Sequence, residues 1–129
     1  MGDRVSIQFK NKDMEWGGES VVLFHHWGGQ KFADFAKAWA IDFKMKILKL
    51  HEGKGSDSLS RLEPQNIMVQ FLKHISDNAQ THGLNHNVYI DGKYTKITDL
   101  LSYSMYFGKD ENDGDNSDNG HHVIELGDD

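Results

Sequence analysis

Apolar and polar residues alternate at the start of the chain. Val5, Ile7 and Phe9 fall on one side of residues 4–10, and the residues between them are polar or charged. Strict alternation over this length predicts a half-buried β-strand. The apolar, β-branched run at residues 20–25 predicts a second strand. Together the two segments predict an N-terminal hairpin with a long connecting loop.

Two helices are predicted after this hairpin. Apolar residues recur at spacings of three and four over residues 30–50, which indicates an amphipathic helix. We expect a second helix to begin near Pro64, because proline in the first helical turn removes no hydrogen bond. Its apolar stripe contains Ile67, Phe71 and Ile75.

The last third of the chain contains further strand signals. Asp91 and Gly92 stand between two apolar-rich runs, and this dipeptide favours the tight type I′ turn of a β-hairpin. The strands predicted in this part of the chain span residues 87–90, 93–97, 104–108 and 121–126.

These elements predict one α+β domain over residues 1–129. The expected architecture is an antiparallel sheet of about five or six strands with two helices packed on one face. A single covered face accounts for the alternation in the first strand.

Charge is unevenly distributed along the chain. Residues 1–108 contain 13 Lys/Arg and 12 Asp/Glu, whereas residues 109–129 contain one Lys and eight Asp/Glu. The acidity is concentrated in an acidic loop, residues 109–120, with a short C-terminal tail at 127–129. Direct binding of duplex nucleic acid by this segment is disfavoured, because like charges repel.

Composition limits the classes of protein that fit. The chain contains no cysteine, which excludes disulfides and thiolate metal sites. No apolar run approaches the roughly 18 residues of a membrane span, and residues 1–4 lack a signal-peptide core. We therefore expect a cytoplasmic protein with no membrane partner.

The acidic loop is the first candidate site. Hard oxygen ligands at this density suit Ca²⁺ or another divalent ion. The order Asp115-x-Ser117-x-Asn119 matches the opening of a calcium-binding EF-hand loop, but position twelve is Leu126 where a closing Glu is needed. Two interpretations stay open, a solvated turn and a metal site formed by Asp113, Asp115, Asp118 and His121. The five carboxylates of the loop are Asp110, Glu111, Asp113, Asp115 and Asp118.

Histidines provide a second set of candidate ligands. Two adjacent pairs, His25-His26 and His121-His122, lie at predicted strands, and neighbouring strand residues point to opposite faces. If the second and last strands are neighbours, one histidine of each pair could approach Asp118. Imidazole and carboxylate ligands suit Zn²⁺, Mn²⁺ or Fe²⁺. This arrangement gives the hypothesis of a metal-dependent hydrolase or nuclease using His26, Asp118, His121 and His122. The alternative is that these histidines are exposed or hydrogen-bonded.

The turn before the first helix is a third candidate. His26 and Trp27 precede Gly28 and Gly29, and backbone N–H groups at a helix N-terminus attract anions. A ligand pocket formed by His26 and Trp27 is one interpretation. A plain connecting turn, in which Trp27 covers the core, is the other.

The same turn carries a family resemblance. Residues 21–29, Val-Val-Leu-Phe-His-His-Trp-Gly-Gly, resemble a small group of uncharacterised phage, prophage and microbial proteins. Proteins of that group begin with a β-hairpin and have a His-Trp-(Asp/Gly)-Gly turn before a helix. They often have Asp before the second glycine, where this chain has Gly28. The resemblance implies a microbial or phage source and no particular activity.

The sequence favours a non-catalytic protein-interaction domain over an enzyme. The acidic loop is expected to bind a basic partner by charge complementarity, and Tyr103 and Tyr106 would add contacts beside it. No cofactor is predicted beyond the divalent ion considered above. A third alternative is a homo-oligomer formed by pairing of exposed strand edges.

Overall fold

A computed structural model describes residues 2–50, 61–77, 86–97 and 104–127 of the chain. The predicted α+β class is confirmed, and the helices and strands begin and end close to their predicted positions. Tyr103 and most of the predicted C-terminal tail lie outside the described residues. In chain order the elements are β1 (Val5–Lys10), β2 (Val22–His25), α1 (Gly29–Leu50), α2 (Pro64–Asp77), β3 (His86–Ile90), β4 (Lys93–Ile97), β5 (Met105–Gly108) and β6 (His121–Glu125).

The strands form two sheets. Four of them make a sheet of order β5-β2-β1-β6, and β3 and β4 make a separate two-stranded hairpin. The pairs β1–β2 and β2–β5 are antiparallel, but β1 and β6 are parallel, with Ser6 opposite His121. The prediction of one antiparallel sheet of five or six strands is therefore met only in part. The acidic loop leads into β6 at the end of the sheet where β1 begins. β6 therefore runs in the same direction as β1.

Both helices pack on one face of the four-stranded sheet. Val5, Ile7 and Phe9 of β1 point into this layer and are fully buried. The ring of Phe71 from α2 meets that of Phe9 edge to face, with centroids 5.7 Å apart. The apolar residues buried here supply the main favourable term in folding. Within the described ranges, neither helix is long and apolar enough to cross a membrane.

The opposite face of the sheet is also covered at its centre. Ser6 and Gln8 of β1 are buried there, and Val22 and Phe24 of β2 are inaccessible to solvent. The alternation in β1 predicted a solvent-facing side for Ser6 and Gln8. That side is instead covered by the acidic loop.

The β3–β4 hairpin has the predicted turn. Asp91 and Gly92 have φ angles of 50° and 79°, the left-handed values that a type I′ turn requires. Tyr89 pairs with Tyr94 across the hairpin, and their rings meet edge to face at 5.1 Å.

Candidate functional site

The acidic loop is bound to the N-terminal segment by hydrogen bonds and ion pairs. The backbone N–H of Arg4 donates a hydrogen bond to Asp118 Oδ2 at 2.9 Å. The Arg4 guanidinium lies 3.2 Å from Asp115 Oδ2 and 3.4 Å from Asp118 Oδ2. One residue further on, the Asn119 amide donates to Asp3 Oδ1 at 2.7 Å. The end of the loop is therefore held against the residues that lead into β1.

Two carboxylates fix the first half of the loop. Asp113 Oδ2 accepts hydrogen bonds from the backbone N–H groups of Lys109 at 2.6 Å and Asp110 at 3.3 Å. Asp110 Oδ1 accepts one from the N–H of Asn112 at 2.8 Å. Side chains of Asp that bond to nearby backbone in this way specify turns. These aspartates thus hold the loop in one conformation.

Asp115 performs a similar role in the second half of the loop. Its Oδ1 accepts a hydrogen bond from the Ser117 backbone at 3.0 Å. Hydrogen bonds from the side chain and backbone of Ser117, together with the positive charge of Arg4, lower the pKa of the Asp115 carboxyl. Asp115 is therefore ionised at neutral pH and stays so under mildly acidic conditions.

Aromatic residues support the loop from below. The Tyr106 ring stacks on that of Phe24 with centroids 5.0 Å apart, and its hydroxyl accepts a hydrogen bond from Asp115 N at 3.0 Å. Gly114 crosses this pair so closely that a Cβ at this position would lie 2.7 Å from the Tyr106 ring and 2.8 Å from that of Phe24. Tyr106 is still 44% exposed. It lies beside the acidic loop.

A chain of polar side chains runs beneath the loop. The Asn116 amide donates to Ser6 Oγ at 2.9 Å, and Ser6 Oγ lies 2.7 Å from His121 Nδ1. His121 Nε2 lies 3.2 Å from Gln8 Oε1, while the amide of Gln8 donates to the Ser20 carbonyl at 2.8 Å. All these contacts are satisfied by a neutral His121 with its proton on Nε2, a tautomer that we assign from the network.

The environment of His121 favours that neutral form. Desolvation by burial is the largest effect and lowers the pKa of the imidazole. The negative charge of Glu111 raises it, and Lys10 and His122 lower it. The net direction is downward, so His121 carries no charge at neutral pH.

Ser6 and His121 form the kind of hydrogen bond that activates a serine nucleophile, but the serine is buried. Ser6 is 0% exposed, and its hydroxyl also accepts the hydrogen bond from Asn116. A substrate carbonyl cannot reach Oγ in this conformation. The pair therefore serves to join β1, β6 and the acidic loop.

The proposed metal ligands are separated or engaged elsewhere. β1 lies between β2 and β6, so the assumption that the second and last strands are neighbours is wrong. The His26 ring packs on Trp27 with centroids 4.6 Å apart. His122 Nε2 lies 2.8 Å from the Asn119 carbonyl oxygen.

Asp118 and His121 belonged to both predicted ligand sets. Asp118 is bound by Arg4, and both ring nitrogens of His121 have hydrogen-bond partners. Among the residues that the structure describes, no three or more His, Asp or Glu side chains are arranged to hold a metal ion. Neither the set Asp113, Asp115, Asp118 and His121 nor the set His26, Asp118, His121 and His122 forms such a group.

The turn before α1 contains His26 and Trp27, the residues considered for a ligand pocket. Gly29 has a φ of 69°, and its N–H donates to the Asp3 carbonyl at 2.8 Å. The Asp3 carboxylate lies so close that a Cβ at Gly29 would be 2.5 Å from Oδ2. A negative side chain at this end of α1 complements the helix dipole and disfavours a second anion. Trp27 is 52% exposed, so it does not cover the core either.

Arg4, Ser6, Gln8 and Asn116 contribute to this site, and the sequence did not indicate them. One signal was available. The run at residues 20–25 is apolar at consecutive positions, and a strand buried on both faces needs a second covering layer.

Comparisons with protein-family models, with curated proteins and with solved structures found no match.

Proposed function

We propose that this chain is a non-catalytic protein-interaction domain that binds a partner with a basic surface through the acidic loop. The observation that supports it is that the loop is ordered by its own side chains while its negative charge stays exposed. Asp110, Asp113, Asp115 and Asp118 hold the loop through hydrogen bonds and ion pairs, and all five loop carboxylates remain exposed.

The inner carboxylates are those nearest the sheet. Asp115 and Asp118 share the guanidinium of Arg4, which offsets part of their charge. They orient the loop more than they attract a partner.

We call Asp110 and Glu111 the outer carboxylates; both are exposed in the first half of the loop. Asp110 uses one oxygen to accept the N–H of Asn112, and its other oxygen can accept a bond from a partner. A loop held in one conformation loses less entropy on binding than a flexible one. Complementary charge then raises the association rate and orients the encounter.

Tyr106 supplies the apolar part of the proposed contact. It is 44% exposed and is held rigidly by stacking on Phe24. Tyrosines of this kind often contribute most of the binding energy at the centre of an interface, while charges act at the rim.

We infer the biological setting from sequence only. The resemblance at residues 21–29 favours a microbial or phage protein, and the absence of cysteine is compatible with the cytoplasm. A protein partner is favoured over duplex nucleic acid because the proposed surface is negative.

The test uses a fluorescent oligo-arginine peptide titrated with the full chain, with anisotropy as the readout. The variant Asp110→Asn/Glu111→Gln removes two charges while preserving side-chain size. We expect binding to weaken by roughly two- to thirtyfold, because each exposed ion pair contributes about 0.2–1 kcal/mol.

The matched control is Glu15→Gln/Asp34→Asn, which removes the same charge outside the acidic loop. Retained binding in this control supports recognition by the loop. Equal weakening in both variants would show that only net charge matters, and that result would overturn the proposal. A peptide that binds both variants as tightly as the wild type would overturn it as well.

A further inference from the structure

The acidic loop joins β6 at an asparagine–glycine pair. The sequence Asn119-Gly120 immediately precedes β6 and occurs nowhere else in the chain. In such a pair the peptide nitrogen of the glycine can attack the side-chain carbonyl carbon of the asparagine. Glycine favours this reaction because it has no side chain to block the approach and adopts many backbone conformations. Both residues are only half-buried, so water reaches them.

Hydrogen bonds engage both reacting groups in the structure. The side-chain nitrogen of Asn119 donates to Asp3 Oδ1 at 2.7 Å and to the Arg4 carbonyl at 3.1 Å. The Gly120 N–H, which must lose its proton before the nitrogen attacks, donates to the Asn116 carbonyl at 2.7 Å. Neither group can turn towards the other while these bonds are in place. The reaction therefore requires that residues 118–120, the loop end, first open by local unfolding.

The guanidinium of Arg4 opposes this opening. It lies 3.2 Å from Asp115 Oδ2 and 3.4 Å from Asp118 Oδ2, and both ion pairs are partly exposed. Arg4 is also more than a hundred positions from Asn119 along the chain. A change to its side chain therefore alters the opening of the loop end without altering the intrinsic reactivity of the Asn119-Gly120 pair.

We propose that Asn119 is a deamidation site, that opening of the loop end sets its reaction rate, and that the reaction prevents the loop end from closing again. The deprotonated nitrogen of Gly120 forms a bond to Asn119 Cγ, and the Cγ–Nδ2 bond breaks with release of ammonia. Water then opens the resulting succinimide ring at one of its two carbonyls. The products are aspartate or isoaspartate, each formed from asparagine and one water with loss of one ammonia. This inference does not depend on whether the acidic loop binds a partner.

The aspartate product does not fit the position of the amide. Asn119 Nδ2 donates to two acceptors, Asp3 Oδ1 and the Arg4 carbonyl. A carboxylate oxygen in the same place has no proton to donate, so both hydrogen bonds are lost. It also faces the Asp3 carboxylate, and like charges at such short range repel. Deamidation to aspartate therefore replaces attraction by repulsion between the loop end and the N-terminal segment.

The isoaspartate product also changes the backbone. Its main chain runs through the former side-chain methylene, which inserts one extra atom between residues 119 and 120. The Asn119 N–H donates to the Arg4 carbonyl at 2.9 Å, and the Gly120 carbonyl accepts the Ser6 N–H at 3.1 Å. These two bonds flank the altered link, so the extra atom displaces one of them. The start of β6 then loses its pairing with β1.

Incubation of the full chain at mildly alkaline pH, followed by tryptic digestion and mass spectrometry, tests the site and its control by opening. The peptide after Lys109 contains Asn112, Asn116 and Asn119, and fragmentation assigns the modified residue. We expect deamidation at Asn119, with a rate about two- to thirtyfold higher in Arg4→Gln, because two partly exposed ion pairs are lost. No reaction at Asn119, or equal rates in Arg4→Gln and the wild type, would overturn the proposal.

The matched control for this comparison is Lys73→Gln. It removes the same charge and breaks an exposed ion pair with Asp77 on α2. We expect it to deamidate at the wild-type rate, and we expect Arg4→Gln and the wild type to react equally fast in concentrated urea, where the loop is open in both. A similar acceleration by Lys73→Gln, or an acceleration by Arg4→Gln that persists in urea, would contradict control by the loop end.

The variant Asn119→Asp reproduces one product and tests the effect on the loop. We expect amide hydrogen exchange at Ser6 and at residue 119 to become roughly fivefold faster, the change that corresponds to the loss of one hydrogen bond. Asn112→Asp adds the same charge to an exposed position of the loop and should leave these two amides unchanged. Unchanged exchange in Asn119→Asp, or an equal increase in Asn112→Asp, would show that deamidation does not open the loop end.

Discussion

The hydroxyl of Ser6 lies 2.7 Å from Nδ1 of His121, and this contact joins the central strand to its parallel neighbour beneath the acidic loop. The serine is fully buried and the imidazole is neutral, with a lowered pKa caused mainly by desolvation. Protonation of His121 at Nδ1 would remove the lone pair that accepts the hydrogen bond from the Ser6 hydroxyl. The contact is therefore sensitive to pH.

We predict that the free energy of unfolding decreases as the pH falls below the pKa of an ordinary histidine, about 6.5. The lowered pKa means that the unfolded chain binds a proton more readily than the folded chain, so unfolding is favoured as pH falls through this range. Urea unfolding at a series of pH values measures the effect. His121→Asn should flatten this pH dependence, whereas His122→Asn should largely preserve it, because His122 makes the smallest contribution to the lowered pKa of His121. An unchanged profile in His121→Asn would show that other groups cause the dependence.

The contact of Gly114 with the stacked pair gives a second prediction. Gly114→Ala places a methyl group against the rings of Tyr106 and Phe24, and Phe24 has no room to move. We expect the free energy of unfolding to fall by about 1–3 kcal/mol, the usual cost of overpacking. Chemical denaturation measures it, with Asn112→Ala in the same loop as the control. A neutral effect of Gly114→Ala would mean that the loop does not rest on these rings.

The ionisation of Asp115 provides a third prediction. Ser117 makes the largest contribution to its lowered pKa, and Arg4 a smaller one. Ser117→Ala should therefore raise the pKa of Asp115 more than Arg4→Gln does. NMR titration of the carboxyl carbon measures both shifts. The reverse order would indicate that the charge of Arg4 dominates the electrostatics of the loop.

The turn of the β3–β4 hairpin leads to a fourth prediction. Gly92 has a φ of 79°, and a Cβ there would meet no atom within 4 Å. The cost of Gly92→Ala is thus backbone strain alone, about 1 kcal/mol. We expect faster amide exchange in the hairpin and little change in global stability, because no extensive packing joins the hairpin to the other described elements. A large drop in global melting temperature would contradict this local effect.

Metal binding is the subject of a fifth prediction. The candidate ligands Asp118 and His121 are already bonded within the protein. We expect no rise in melting temperature when Ca²⁺, Mn²⁺ or Zn²⁺ is added to tag-free protein, because only an ion that binds the folded state stabilises it. Elemental analysis of the purified protein is the accompanying measurement. A reproducible rise with one ion would favour the metal-dependent alternative over the interaction domain.

Local patterns were sufficient to predict the individual elements. The spacing of apolar residues located α1, Pro64 located the start of α2, and the pair Asp91-Gly92 located the hairpin turn. Each of these signals acts over a few neighbouring residues, where the physical cause is the backbone itself.

The arrangement of the strands could not be predicted in the same way. Alternation in β1 assigns residues to faces of a strand, but it contains no information about which strand lies beside it. Likewise, the acidic composition of residues 110–118 indicated an exposed loop. The partner of its inner carboxylates, Arg4, is more than a hundred positions away. A contact between residues so far apart in the sequence forms only in the folded protein.

The parallel pairing of β1 with β6 also affects how the protein folds. Ser6 and His121 are separated by 115 positions, so the second neighbour of β1, which is β6, comes from the far end of the chain. Closing so long a segment costs entropy before any contact repays it. High contact order of this kind slows folding. We therefore expect the hairpin of β1 and β2 to form early with the helices, and docking of β6 to be the late, rate-limiting step.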